Sequence, residues 1–237
     1  MGGDYTSCCR MAHLPRGCAK RDTVIDRPAN QDYRCEMNQR AQTRDPELTR
    51  ARILDAAEAL FVEQGFSAVK LSALARSAEV TKSLIHHHFG NKEQLWEAVK
   101  NRAFERYFTA QMAMLEEAGE PDAALLRSSV EAYFHFLRDN PGVVRLFAWT
   151  HLEGDSHCGE LDNQLVGAGA EWVRQAQRRG LLRQDLNPTH VIAVFVMTCT
   201  QWFEAKCHHE HWPGMGSDEA FLEDFLKIFM EGVLPRG

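Results

Sequence analysis

The sequence predicts an all-α fold: an N-terminal three-helix head built on a helix-turn-helix, followed by a larger helical body. Three observations predict it. Apolar residues recur at helical spacing from about residue 46 to residue 233, and no segment reads as a strand-rich unit. Breaks fall near Gly119-Glu120-Pro121, Asn140-Pro141-Gly142, Gly154–Gly159, Gly180, Asn187-Pro188 and Trp212–Ser217, residue types that punctuate helices. Residues 71–92 hold two helices of about two turns each with a turn of three or four residues between them, the helix-turn-helix pattern.

That stretch organises the chain. Leu71, Leu74, Ala75 and Ala78 form one short apolar face, and Val80 follows a polar break at Glu79. Thr81 offers a side-chain oxygen where a second helix starts, as an N-cap requires. Leu84, Ile85 and Phe89 are the apolar positions of this second helix, and Lys82, Ser83, His86, His87 and His88 occupy its other positions. Hydrogen-bonding side chains on an exposed short helix are what a major-groove reader presents to base edges. The bland alternative is a solvated polar face on an ordinary helical hairpin.

The flanks favour the first reading. Residues 49–100 carry the Ile53-Leu54-Asp55-Ala56-Ala57 run, the Leu60-Phe61 pair, Gly65-Phe66, Leu74-Ala75, Val80-Thr81, Ile85, His87, Phe89 and Asn91-Lys92-Glu93 with Leu95. In that order these residues resemble the TetR family of bacterial transcriptional regulators. Three positions depart from the family's pattern. Glu79 stands at a turn position usually held by Gly, His86 and His88 stand where Tyr is usual, and Leu84 stands where Thr or Ser is common. If the backbone at Glu79 needs a positive φ, Glu costs about 1 kcal/mol relative to Gly.

A chain of 237 residues accommodates one large domain or two small ones. We divide it into a basic, disordered N-terminal extension (1–44), a helix-turn-helix domain (45–92) and a helical body for effector binding and dimerisation (93–237). The net charge of −6 is uneven. Residues 1–44 carry eight Lys and Arg against five Asp and Glu, residues 45–100 seven against eight, and residues 101–237 twelve against twenty. A relatively basic first half and an acidic second half fit a molecule that meets DNA with one end.

The seven cysteines, Cys8, Cys9, Cys18, Cys35, Cys158, Cys199 and Cys207, are odd in number and contain no CxxC pair, which reads as free thiols in a reducing compartment. No run approaches a transmembrane helix, and no apolar signal-peptide core opens the chain. The expected location is the cytoplasm. Residues 1–36 read as a soluble tail, with two origins open: a natural flexible extension, or an over-extended start upstream of Met37. Arg40 and Arg44 are placed to reach phosphate or the minor groove.

Asp45-Pro46 opens the first helix, whose inward side is Ile53, Leu54, Ala57, Leu60 and Phe61 and whose natural stop is Gly65. A fourth helix begins near Lys92 and continues to about Glu117. In the resembled family it links head to body, and Lys92 lies where N-terminal N–H groups also attract phosphate. Body helices are expected at 122–138, 142–152, 160–179, 188–209 and 218–233.

The last two are strongly apolar. By resemblance they pair with their symmetry mates in a homodimer, through Val194, Thr198, Phe221, Phe225 and Phe229. The alternative is that they close a monomeric core. The resemblance also implies an effector pocket among the middle helices. Its candidates are Phe108, Phe134, Phe147, Trp149, Trp172, Met197 and Trp202, with His151 and Thr150 as polar handles, suiting a small apolar or aromatic ligand.

Cys207, His208, His209, Glu210 and His211 form a metal-competent cluster, with Cys207 and His211 on one face if the helix continues. His151, His157 and Cys158 form a second group. They keep open a metal- or thiol-sensing regulator, and at a further remove a helical metal-dependent enzyme. The plain alternative is a polar helix end, and no metal or other cofactor is assigned. No GxSxG, P-loop or GxGxxG pattern occurs, and Asp139, Glu153 and Asp155 read as solvated helix ends, so no catalytic residue is assigned. The expectation is a homodimeric repressor that binds double-stranded operator DNA and is released by its effector. Its DNA contacts are Arg44, Thr81, Lys82, Ser83, Leu84, His86, His87, His88 and Lys92.

Overall fold

The computed structural model describes residues 45–155 and 160–235. The described residues fall into two units, one ending at Thr49 and one beginning at Arg50. Within the former, Asp45 Oδ1 accepts from the backbone N–H of Glu47 at 3.0 Å and of Leu48 at 3.3 Å, an N-cap. Arg44 lies outside the described residues.

The described residues form helices and no strands. In chain order they are α1 (Pro46–Ala68), α2 (Leu71–Ser77), α3 (Lys82–Phe89), α4 (Lys92–Glu117), α5 (Ala123–Asp139), α6 (Pro141–Leu152), α7 (Glu160–Arg178), α8 (Pro188–Glu204), α9 (Lys206–His209) and α10 (Asp218–Val233). Among the described residues no helix is long and apolar enough to cross a membrane.

Local chemistry explains most boundaries. The stop expected at Gly65 is a break in helical geometry, φ 77° and ψ 174°, inside the span of α1. Asn91 and Gln94 close a capping box at the start of α4. Asn187 caps α8 ahead of Pro188, and Ser217 caps α10. One boundary corrects the sequence reading. The helix expected over 188–209 stops at Glu204, because Ala205 leaves helical geometry at φ −96°, ψ 10°, and only the four-residue α9 follows.

Two apolar clusters form the core. Ile53, Ala57 and Phe61 of α1 pack with Leu74 of α2, Ile85 and Phe89 of α3, and Leu95, Trp96 and Val99 of α4, and Leu146 of α6 joins them. Phe61 meets Trp96 edge-on at 5.0 Å. The second cluster runs from Phe104 and Tyr107 of α4 through α5 and α7 to α8 and α10. Helix α4 contributes to both, which ties the orientation of the first three helices to the body.

The last two helices differ from expectation in which face is free. Phe225 and Phe229 are buried within the chain's own core, where Phe229 meets Phe195 edge-on at 6.1 Å. Phe221 stacks on Trp202 at 3.7 Å. These three are therefore intramolecular packing residues. The exposed apolar side chains of the two helices are Val194, Met197 and Ile228, which are 50%, 69% and 72% exposed. Thr198 is half-buried, with its hydroxyl donated to Val194 O at 2.6 Å.

Candidate functional site

The turn between α2 and α3 is closed by two backbone bonds, Val80 N–H to Ala75 O at 2.9 Å and Glu79 N–H to Arg76 O at 3.2 Å. This is a Schellman motif. Its left-handed position is Glu79 at φ 53°, the one non-glycine residue with positive φ among those described. Arg52 braces the turn from α1, donating to Ala78 O at 2.7 Å and lying 3.4 Å from the Glu79 carboxylate.

Helix α3 then begins at Thr81, whose Oγ1 accepts from Leu84 N–H at 3.2 Å. The Thr81 hydroxyl proton remains available to an outside acceptor. Ile85 and Phe89 turn into the core, and Arg50 lies over the Phe89 ring at 5.0 Å. Thr81, Lys82, Ser83, His86 and His87 are exposed, and Leu84 and His88 are half-buried. His86 Nδ1 is 2.6 Å from Gly90 O. That contact requires the proton on Nδ1, so Nε2 is the nitrogen presented outward. His87 and His88 meet edge-on at 5.4 Å.

Lys92 is folded back. Its Nζ lies 4.3 Å from the centre of the Phe66 ring and 3.4 Å from Ser67 O. Desolvation by these neighbours lowers its pKa, opposed by Glu153 and Glu93. The capping box of Asn91 and Gln94 already uses part of the N–H set at the start of α4.

Two adjoining, mainly apolar cavities of the body share a wall. The inner one, about 40 Å³, is walled by Phe104, Tyr107, Gln111, Ser129, Trp172 and Phe195 among others. The outer one, about 350 Å³, takes in Phe147, Thr150, His151, Met197, Thr200 and Gln201. Tyr133, Asp162, Val166, Ile192 and Val196 line both. A cavity of a few hundred Å³ suits a small ligand.

Of the residues named from sequence, Trp172 therefore lines the inner cavity, and Phe147, Thr150, His151 and Met197 line the outer one. Phe108, Phe134, Trp149 and Trp202 line neither. Phe134 is fully enclosed core, and Phe108 packs against that same cluster. Trp202 is held between Phe221 and the His209 ring, with its indole N–H donated to Asp218. Trp149 points at α1 instead.

Beyond Thr150 and His151, the sequence reading missed the polar residues of the walls. Gln111 donates to Ser129 Oγ at 2.7 Å, and the hydroxyls of Tyr133 and Thr200 are 2.9 Å apart. Burial pushes the Tyr133 hydroxyl and the Asp162 carboxyl up. Their signal was available in principle, as polar residues on otherwise apolar helix faces.

Helix α6 connects the cavity to the helix-turn-helix. One side carries Phe147, Thr150 and His151 to the outer cavity. The other side grips the end of α1. Arg145 Nε donates to Val62 O at 2.9 Å, and Trp149 Nε1 to the same oxygen at 3.3 Å. Just past α6, Glu153 accepts from the Ser67 N–H at 2.9 Å and from its hydroxyl at 2.7 Å. A Cβ at Gly65 would lie 2.6 Å from both Trp149 and Glu153, so the close approach needs glycine there as much as the positive φ does. Asp155 accepts from Trp96 Nε1 and Lys100 Nζ, both at 2.8 Å. Glu153 and Asp155 are thus joints between helices, not solvated ends.

The histidine-rich segment does not assemble. Helix α9 ends at His209, so Cys207 and His211 do not continue on one helical face. His209 is buried, with Nε2 2.7 Å from Trp202 O, while Cys207 is exposed. Among the described residues no group of three or more His, Cys, Asp or Glu side chains converges as a metal site would require. His157 and Cys158 lie outside the described residues.

A Schellman-closed helix-turn-helix with a polar outward helix, carried by a helical body with an apolar cavity, defines a DNA-binding transcriptional regulator. Residues 53–99 match the family described as bacterial regulatory proteins, tetR family, and residues 126–220 match the tetracyclin repressor-like C-terminal domain. The chain is 36% identical over 142 residues to the HTH-type transcriptional regulator UidR of Escherichia coli K12, a match spanning 59% of this chain and 71% of UidR. It is 25% identical over 166 residues to the HTH-type transcriptional repressor NicS of Pseudomonas putida, spanning 68% and 77% of the two chains. Among solved structures, AibR in complex with isovaleryl coenzyme A and operator DNA superposes with a TM-score of 0.56 at 20% identity, covering 76% of this chain and 97% of AibR. The protein belongs to the TetR family of bacterial transcriptional regulators, a family of regulators and not of enzymes.

Proposed function

We propose that the protein is a homodimeric, cytoplasmic repressor that binds a near-palindromic operator and is released when a small ligand fills the body cavity. The observation that carries the reading is helix α6. The same helix lines the outer cavity with Phe147, Thr150 and His151 and holds the end of α1 through Arg145 and Trp149, with Glu153 just beyond. A ligand that favours one position of α6 favours one position of the head. Release then follows as a population shift set by differential affinity for the two arrangements.

In this reading Lys82, Ser83, Leu84, His86 and His87 face base edges, and Thr81, His88, Lys92 and Arg44 serve phosphates. Base contacts specify and phosphate contacts position. Leu84 cannot hydrogen-bond a base but can pack on a thymine methyl. The dimer face is the exposed apolar surface of Val194, Met197 and Ile228, beside Thr198. Selection from a random duplex pool tests the proposal. It should return a two-fold symmetric sequence with half-sites about one helical turn apart, roughly 34–36 Å. Enrichment of a single half-site, or of nothing, would reject the dimeric operator complex.

A further inference from the structure

The two cavities share a carboxylate that nothing balances. Asp162, in the first turn of α7, lines both. Among the described residues it has no hydrogen-bond or ion-pair partner, and the rise in its pKa comes from desolvation alone. It lies close enough to Tyr107 and Tyr133 to oppose ionisation of both hydroxyls. The cation of the outer wall is already engaged, since Lys100 Nζ is 2.7 Å from Glu97 and 2.8 Å from Asp155.

Two further polar atoms of the inner wall are open. Gln111 Oε1 and Trp172 Nε1 are buried without a partner, on side chains that are 5% and 8% exposed. Buried polar atoms ordinarily find partners, so an unpaired set at one cavity points to what the cavity takes. Here Gln111 Oε1 is a buried open acceptor and the half-buried Asp162 carboxylate stands beside it on the cavity wall, against one open donor, Trp172 Nε1. The remaining wall is aromatic, with Phe104, Tyr107 and Phe195 offering ring faces that attract a cation.

We propose that the cavity takes the protonated amine of an apolar or aromatic ligand, with Asp162 as its counter-ion. This rests on the reading of the cavity as the effector site. The ammonium donates to Asp162 and to Gln111 Oε1, and the apolar part of the ligand fills the outer cavity. A neutral apolar ligand would strip Asp162 of the remaining water without replacing its charge, and an anionic end would add a like charge beside it. Both are unfavourable in a desolvated site. An ammonium reverses the sign of both effects.

The test uses the full-length protein and three probes of one shape: 4-phenylbutylamine, 4-phenylbutan-1-ol and 4-phenylbutanoate. Calorimetric titration should show the amine binding at least about tenfold tighter than the alcohol, the step expected of one charge-assisted hydrogen bond, with the carboxylate weakest. In Asp162→Asn and Asp162→Ala the amine should lose about tenfold while the alcohol changes little. Neither variant removes a hydrogen-bond partner of Asp162, and the relief of its desolvation offsets the lost first-turn charge, so both should melt unliganded close to the wild-type temperature. Tighter binding of the alcohol or carboxylate, no binding of the amine, or an amine preference that survives both substitutions would each overturn the assignment. Operator affinity measured with and without the amine keeps the two readings apart. An Asp162-dependent amine that leaves operator affinity unchanged supports the ligand class and refutes the effector role.

Discussion

Glu79 is the residue at which this chain departs most plainly from what its backbone asks for. The Schellman turn needs a left-handed residue, and glycine supplies one without steric cost. Glu79 adopts φ 53° instead. Glu79→Gly should therefore stabilise the protein by about 1 kcal/mol, seen as a higher urea midpoint with an unchanged slope. The ion pair between Arg52 and Glu79, at 3.4 Å with the Glu79 side chain largely exposed, offsets little of this. A lower midpoint would mean that this ion pair outweighs the strain. Helix α3 was legible at this scale because its determinants are local. The N-cap at Thr81, the inward positions Ile85 and Phe89 and the turn at Glu79 all lie within a dozen residues of one another. The cavity was not legible in the same way. Aromatic residues of the body were candidates alike, and the sequence does not tell a ring that walls a cavity, such as Trp172, from one that fills the core, such as Phe134.

Among the elements, α6, α8 and α10 were the hardest to read, and for one reason. A helix with apolar residues on more than one side reveals that it is buried but not against what. Trp149 read as a pocket residue and Glu153 as a solvated end, yet both hold α1. Glu153 and Ser67 are 86 residues apart, beyond the reach of any local pattern. On α10 the same ambiguity reversed the assignment of faces, and the two faces now predict different failures. Phe225→Glu places a charge in the chain's own core, at a cost of several kcal/mol, and should abolish the folded state. Ile228→Glu changes a side chain that is 72% exposed and should leave helical circular dichroism intact while sedimentation shows monomers. Intact dimers for Ile228→Glu at micromolar concentration would place the interface elsewhere.

For the whole molecule, the charge is uneven along the chain, with an acidic second half and a less acidic remainder, as suits a molecule that meets a polyanion with one end. Lys92 belongs to that end but is partly neutralised by the Phe66 ring, Ser67 O and two nearby carboxylates, Glu93 and Glu153. If it turns to a phosphate in the complex, Lys92→Ala should weaken binding to all sequences alike and reduce the slope of log K against log salt by about one. A change in sequence preference at constant affinity would instead make Lys92 a base reader.

Glu153 tests whether the body sets the head at all. Its carboxylate holds the Ser67 N–H and hydroxyl together, and Ser67 O is the oxygen that Lys92 approaches. Replacing Glu153 with Ala removes the tie without opening the core, since Arg145 and Trp149 still hold Val62. Amide exchange at Ser67 should accelerate while the rest of α1 stays protected. Because the head then samples more orientations, operator affinity should fall about three- to tenfold, about 1 kcal/mol, with the oligomeric state unchanged. Faster exchange at Ser67 with unaltered operator affinity would show that the Glu153 joint is structural only. The coupling would then have to run along α4, through Trp96 and Lys100 to Asp155, the other place where these helices share hydrogen bonds.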